Sequence, residues 1–289
     1  MRVGIDSYAY HRLLGEVRPG EDEPPRPPFR GGYEGVLAEA QRLGVDLLSL
    51  ETNVLPPPDE TDVAALRDRA APAQLVLAHG HPQGLRFGRD ALQAADLQAW
   101  IAGAADAGLP LVRMVLGGPW ARLDEPSSGF LPRALDALRP PVALAGERGV
   151  ALALENHADL TLDEMEQVLD ELDAPHLGVC FDTSNWVRVG DDPVEAARRL
   201  AGRVRVVHLK DHVARPDDGL VGPRSVALGA GEVDLAGVLE PLLAAEPDLP
   251  VCVELGHLGP GADEVEMVER GVAWLRAEAT RREAVAKGG

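Results

Sequence analysis

Short runs of apolar and β-branched residues alternate with longer amphipathic segments from one end of the chain to the other. The short runs predict eight strands, at 2–7, 45–51, 74–79, 110–116, 150–155, 177–182, 204–209 and 250–254. The intervening spacing predicts helices at 33–43, 60–70, 90–107, 132–148, 162–172, 193–201, 235–244 and 263–279. End signals agree with these limits. Thr161, with Glu164 three residues on, reads as a capping box, and Gly44, Gly108 and Gly149 follow helical stretches as C-caps do. Eight strand–helix units, spaced by about 36 residues and unbroken by any linker, predict an α/β fold: a single (β/α)8 TIM barrel over 1–279, with a polar, frayed tail at 280–289. A dinucleotide fold lacks its fingerprint, because Gly117-Gly118 after the fourth strand is not GxGxxG.

Each of the last four strands finishes in a side chain able to bind metal. Glu155 follows Ala-Leu-Ala-Leu, Asp182 follows Gly-Val-Cys-Phe, His208 follows Val-Arg-Val-Val, and Glu254 follows Pro-Val-Cys-Val. If these four point into the barrel, the period of two also turns Ala151, Ala153, Gly178, Cys180, Val204, Val206 and Cys252 inward. Those residues are small or medium, as a closed barrel requires. Three carboxylates and an imidazole at one mouth repel one another and lose solvation unless a cation holds them. One acid at a strand end is commonly a loop cap or an ion-pair partner, but four consecutive strands ending this way point to a metal site. An oxygen-dominated set with one nitrogen suits a divalent ion such as Mn2+, Mg2+ or Co2+ rather than structural zinc.

These residues, in Leu-Glu155-Asn-His, Cys-Phe-Asp182-Thr, His208-Leu-Lys-Asp and Val-Glu254-Leu-Gly, resemble the sugar isomerase/epimerase superfamily with the xylose-isomerase-like barrel. The resemblance spans the chain in architecture and is residue-specific over 151–257. It implies an activity among ketose 3-epimerases, hydroxypyruvate isomerases, inosose isomerases and dehydratases, and 3-dehydroshikimate dehydratases. It also implies that Glu155 and Glu254 both ligate metal and exchange substrate protons. A divalent ion on the carbonyl and neighbouring hydroxyl oxygens stabilises an enediolate while a carboxylate takes the proton. The expected function is therefore a metal-dependent sugar isomerase or epimerase acting on a ketose or related polyol. Loss of a β-hydroxyl from the same intermediate would instead give a dehydratase, and the four ligands do not choose between them. His157, two residues past Glu155, enters the same mouth if strand geometry persists and is a third catalytic candidate. Its GluXHis arrangement looks more like the dehydratase-type branches. Asn185 stands where many relatives carry a substrate-contacting histidine.

Other substrate-binding candidates cluster at strand ends. His79, with His81 beyond it, closes the third strand; Trp120 and Trp186 follow the fourth and sixth and can cover an apolar sugar face. Lys210 shares the inward phase of His208, and Arg215 lies in the loop after the seventh strand; either suits an anionic group. His257 and Arg113 also come within reach of the mouth, whereas Trp100 and Trp274 sit within helices as packing residues. The proline-rich loop 19–28 and Pro56-Pro57-Pro58 follow the first two strands and read as stiffened surface connections.

Charge removes several function classes. With 28 basic and 47 acidic residues the net charge is −19, which repels nucleic acid and anionic membranes, and 11 aromatic residues leave few platforms for base stacking. Relatives of endonuclease IV share the barrel, but that reading needs a histidine at position 185. The most apolar stretch, 99–120, is broken by Asp106, Pro110 and Arg113, too short for a membrane span. Asp6 interrupts the N-terminus before any apolar signal region, so a cytoplasmic enzyme is expected. Cys180 and Cys252 read as buried free thiols. The expected partner is a small sugar or polyol, and a homo-oligomer is compatible with the sequence. A noncatalytic sugar-binding protein is the rival of another class, but one that would be expected to lose ligands.

Overall fold

The computed structural model describes residues 1–80, 83–123, 129–213 and 223–288. The strands are β1 (Arg2–Asp6), β2 (Leu47–Glu51), β3 (Gln74–His79), β4 (Leu111–Val115), β5 (Ala151–Glu155), β6 (Leu177–Asp182), β7 (Val204–Leu209), β8 (Asp211–Val213), β9 (Arg224–Val226) and β10 (Pro250–Val253). The helices are α1 (Tyr33–Leu43), α2 (Val63–Ala70), α3 (Ala91–Asp106), α4 (Pro119–Leu123), α5 (Phe130–Arg148), α6 (Leu162–Leu172), α7 (Thr183–Val189), α8 (Pro193–Leu200), α9 (Leu235–Ala245) and α10 (Glu264–Gly288). β1 to β7 pair in parallel in sequence order, and β10 closes the ring between β7 and β1. The expected (β/α)8 barrel is the observed fold. β8 and β9 form a separate antiparallel ribbon after β7. No helix among the described residues is long and apolar enough to cross a membrane.

Alternation along each strand divides the apolar residues into two layers. Leu48, Leu50, Leu75, Leu77, Leu152 and Leu154 face the helices in the main core. Leu47, Val76, Leu111, Ala153, Cys180, Val206 and Cys252 fill the barrel interior. Gly4 belongs to this inner layer because a β-carbon there would stand 2.7 Å from Cys252 Sγ and 2.9 Å from the Leu47 carbonyl oxygen. Both cysteines are buried and free, as expected.

One inward assignment is wrong. Val179 pairs with Val204 but Cys180 pairs with Val206, so β7 carries one extra residue, Arg205, at a bulge. The bulge turns Val204 into the outer core. Arg205 instead runs beside Gly178, whose added β-carbon would lie 2.6 Å from Arg205 Cγ.

Helix limits follow their caps. The Thr161–Glu164 capping box is present, and Gly44 and Gly149 are left-handed C-caps with φ of 60° and 72°. α2 starts later than expected because the Asp62 side chain accepts from the Ala65 N–H at 2.9 Å and acts as its N-cap. The region expected to fray after 279 continues as helix to Gly288. Glu278 holds that segment by pairing with Arg281 and Arg282, each at 2.6 Å, one turn ahead. α4, α7 and the β8–β9 ribbon escaped the sequence reading because each is too short to establish a period.

Candidate metal and active site

The barrel register brings the four strand-end residues together. Glu155 lies beside Cys180, Asp182 beside His208, and His208 beside Cys252, the residue two before Glu254. All four are at most 2% exposed. His208 Nδ1 is 2.5 Å from Glu254 Oε2 and 3.5 Å from Glu155 Oε2. Donor atoms of Asp182, His208 and Glu254 lie within 4.8 Å of one another, and those of Glu155, Cys180 and His208 form an overlapping set.

Several donors here lack a hydrogen bond. Among the described residues, Glu155 Oε1, Asp182 Oδ2, Glu254 Oε2 and both His208 ring nitrogens are buried without a partner in hydrogen-bonding geometry. Three carboxylates and an imidazole at this spacing, with Glu155 Oε1 left without any partner among the described residues, fit a divalent cation of oxygen preference. Cys180 is a poor ligand, since burial pushes its thiol up to about 11 and keeps it protonated.

Three charged residues complete the floor of the mouth. Arg113 Nε stands 2.5 Å from Glu155 Oε2, and its Nη2 3.4 Å from Glu51 Oε1. Asp6 Oδ2 lies 3.5 Å from His208 Nε2. Arg113 thus goes further than its expected reach toward the mouth, and Asp6 and Glu51 join the site without having been expected there. A signal existed: β1 and β2 also end in an acid.

The two glutamates differ in proton affinity. Burial pushes Glu155 up to about 7 despite the nearby charges of Arg113 and His208. Burial acts on Glu254 as well, but Lys210 and His208 outweigh it and hold that carboxyl well below its ordinary value. Lys210 Nζ sits between Asp182 Oδ2 at 2.7 Å and Glu254 Oε1 at 2.8 Å. His208 is raised above the usual imidazole value, its burial opposed by the carboxylates of Glu254 and Asp6. His157 is held neutral by burial and by the fields of Arg113 and Lys210, with Nδ1 3.1 Å from the Gly117 carbonyl oxygen.

A narrow cleft opens above this cluster. His157, Asn185, Lys210, Glu254 and His257 line it, together with Arg18, Arg113 and Arg188. Three other candidates are elsewhere. His79 points outward, with Nε2 3.1 Å from Asp96 Oδ2 on α3, because the inward phase of β3 belongs to Val76. Trp120 is 53% exposed on α4 and does not line the cleft. Trp186 is fully buried, packed 5.6 Å from Phe181 in the outer core. Arg215 and His81 lie outside the described residues.

The loop after β1 is more than a stiff connection. Glu21 accepts from the N–H groups of Arg18 at 2.9 Å and Leu258 at 2.7 Å, and its carboxylate lies 3.1 Å from His11 Nε2. Burial pushes the Glu21 carboxyl upward, but these contacts outweigh it and bring it down to about 2. This clamp ties the loop to the chain after β10 and sets Arg18 against the cleft.

The chain resembles known proteins in sequence and in fold. It is 33% identical over 206 residues to the 2-epi-5-epi-valiolone 7-phosphate 2-epimerase of Actinoplanes sp., a stretch covering 71% of this chain and 62% of that one. It is 33% identical over 72 residues to an inosose dehydratase of Clostridium perfringens, 24% of either chain. The chain therefore spans less than two thirds of the length of these curated relatives. A solved L-ribulose 3-epimerase has the same fold, with a TM-score of 0.73 at 19% identity over 100% of this chain and 98% of that one. A family model described as the xylose isomerase-like TIM barrel matches residues 37–278, most of the sequence including all four strand-end donors; the chain belongs to that family.

Proposed function

We propose that the protein is a divalent-metal-dependent sugar isomerase or epimerase that moves a proton on the carbon beside a carbonyl of a ketose or related polyol. The observation that carries this reading is the placement of Glu155 and Glu254, at the ends of strands on either side of β7, at 3.5 and 2.5 Å from one atom, His208 Nδ1. Glu155, Asp182, His208 and Glu254 would hold the ion, which supplies positive charge to offset the negative charge developing on substrate oxygens.

The chain's own residues account for the proton traffic. Glu254, kept ionised by Lys210 and His208, accepts the substrate proton. Glu155, on the other side of the site and raised in proton affinity by burial, returns a proton to the substrate. Arg113 orients Glu155 through its 2.5 Å contact. The Glu21 clamp fixes the loop that brings Arg18 to the cleft.

A lyase that expels a β-hydroxyl is the second reading, favoured by His157. Its ring lines the same cleft and is held neutral, and with Nδ1–H donating to the Gly117 carbonyl its Nε2 is an acceptor. The test is incubation of manganese-loaded protein in D2O with ketoses, inososes and dehydroshikimate. Deuterium at the α-carbon with unchanged oxygen count supports isomerase or epimerase chemistry, whereas stoichiometric loss of water supports the lyase. Absence of exchange across the panel would leave sugar binding without catalysis.

A further inference from the structure

We propose that Arg18, Arg188 and Asn185 form a subsite for an anionic oxygen group of the substrate, a phosphate ester or a carboxylate, above the proton-transfer carboxylates. This rests on the reading of the cleft as the substrate site. Arg18 comes from the loop after β1 and Arg188 from the last turn of α7, after β6. The ring order β1–β10–β7–β6 separates these strands by two others, so the guanidiniums approach one cleft from different sides. Burial lowers the proton affinity of both guanidiniums; Glu21, Glu254 and Glu51 act against it at Arg18, while at Arg188 Asp182 acts against it and Arg18 adds to it. Two planar guanidiniums at one cleft match the oxygens of phosphate or carboxylate, and an anion there would offset the charge that Arg18 turns on Arg188.

Asn185 adds an independent observation. Its Oδ1 accepts from Arg188 Nη1 at 3.3 Å, which commits the amide orientation. The opposite atom, Nδ2, is then buried without a partner among the described residues, in a side chain that lines the cleft and is 3% exposed. A buried amide donor beside two cations is the recognition pattern of an anion. Deeper in the mouth Arg113 pairs with Glu155 and Glu51, and Lys210 with Asp182 and Glu254, whereas Arg18 stands 3.6 Å from Glu16 and Arg188 bonds Asn185 at the cleft wall. Compensation of the α7 dipole would account for Arg188, but not for Arg18 or for the orientation of Asn185.

Calorimetric titration of the full chain, with EDTA present to keep the probes off any metal, tests the subsite with glycerol 3-phosphate, glycerate and neutral glycerol. At least one anion should bind at least tenfold more tightly than glycerol, and the stronger of the two identifies phosphate or carboxylate. Arg18→Gln and Arg188→Gln should each weaken that binding at least tenfold. Asn185→Asp should do the same by placing a carboxylate where the donor stood. Cooperative melting of each variant serves as the folding control. Equal binding of all three compounds, no binding to the wild type, or anion affinity unchanged in folded Arg18→Gln and Arg188→Gln would overturn the proposal. Manganese titration of the EDTA-free wild type is read separately, so failure of the metal-dependent reading is distinguished from failure of the subsite.

Discussion

His208 and Glu254 face each other across 2.5 Å between Nδ1 and Oε2, inside a barrel mouth that leaves neither residue more than 2% exposed. A carboxylate so placed can ligate with the imidazole or exchange a proton beside it. Glu254→Gln and Glu155→Gln each retain shape but lose the ionisable oxygen. Each should lower solvent proton exchange by about 10²- to 10⁴-fold while the variant still melts cooperatively. Wild-type exchange in either variant would remove that residue from its assigned role.

Lys210 neutralises Asp182 and Glu254 at 2.7 and 2.8 Å. Lys210→Met leaves two buried carboxylates facing one another and should destabilise the chelator-treated protein by about 3 kcal/mol. Manganese should then raise the melting temperature of the variant more than that of the wild type, since the ion replaces the lost counter-charge. Equal melting of the two chelator-treated proteins would show that Lys210 is not that counter-charge.

Burial pushes Asp159 up to about 6, although its oxygens accept from the Gly117 and His157 N–H groups. The folded value exceeds the ordinary 3.8, so the stabilisation from protonating this group is complete below pH 3.8 and lost as pH rises through 6. Denaturant midpoints of the wild type and Asp159→Asn, compared from pH 4 to 8, should therefore shift in the variant's favour as pH rises. The shift should be on the order of 3 kcal/mol. Parallel pH profiles would contradict the raised value.

At Gly4 the inner layer has room only for hydrogen. Gly4→Ala should destabilise the barrel by about 1–3 kcal/mol through overpacking against Cys252 and Leu47. Paired Gly4→Ala and Cys252→Ala substitutions should recover part of that loss in urea melts. A single variant as stable as the wild type would mean that the layer yields.

The barrel and the convergence of four strand-end side chains were legible in the chain because a strand's period of two is a local property: residues at 155, 182, 208 and 254 share a phase with small residues beneath them. The same count, started from Val76, would have turned His79 outward. Other facts depend on partners distant in sequence. The bulge at Arg205 changes phase only in relation to β6, and Glu21 becomes a buried clamp only where His11 and Leu258 meet it. Whether Trp186 covers a sugar or packs on Phe181 depends on how α7 leaves its strand. Tertiary structure alone sets Arg18 and Arg188 in one cleft, because loop direction and the repulsion between distant charges are properties of the assembled barrel rather than of any local run of residues.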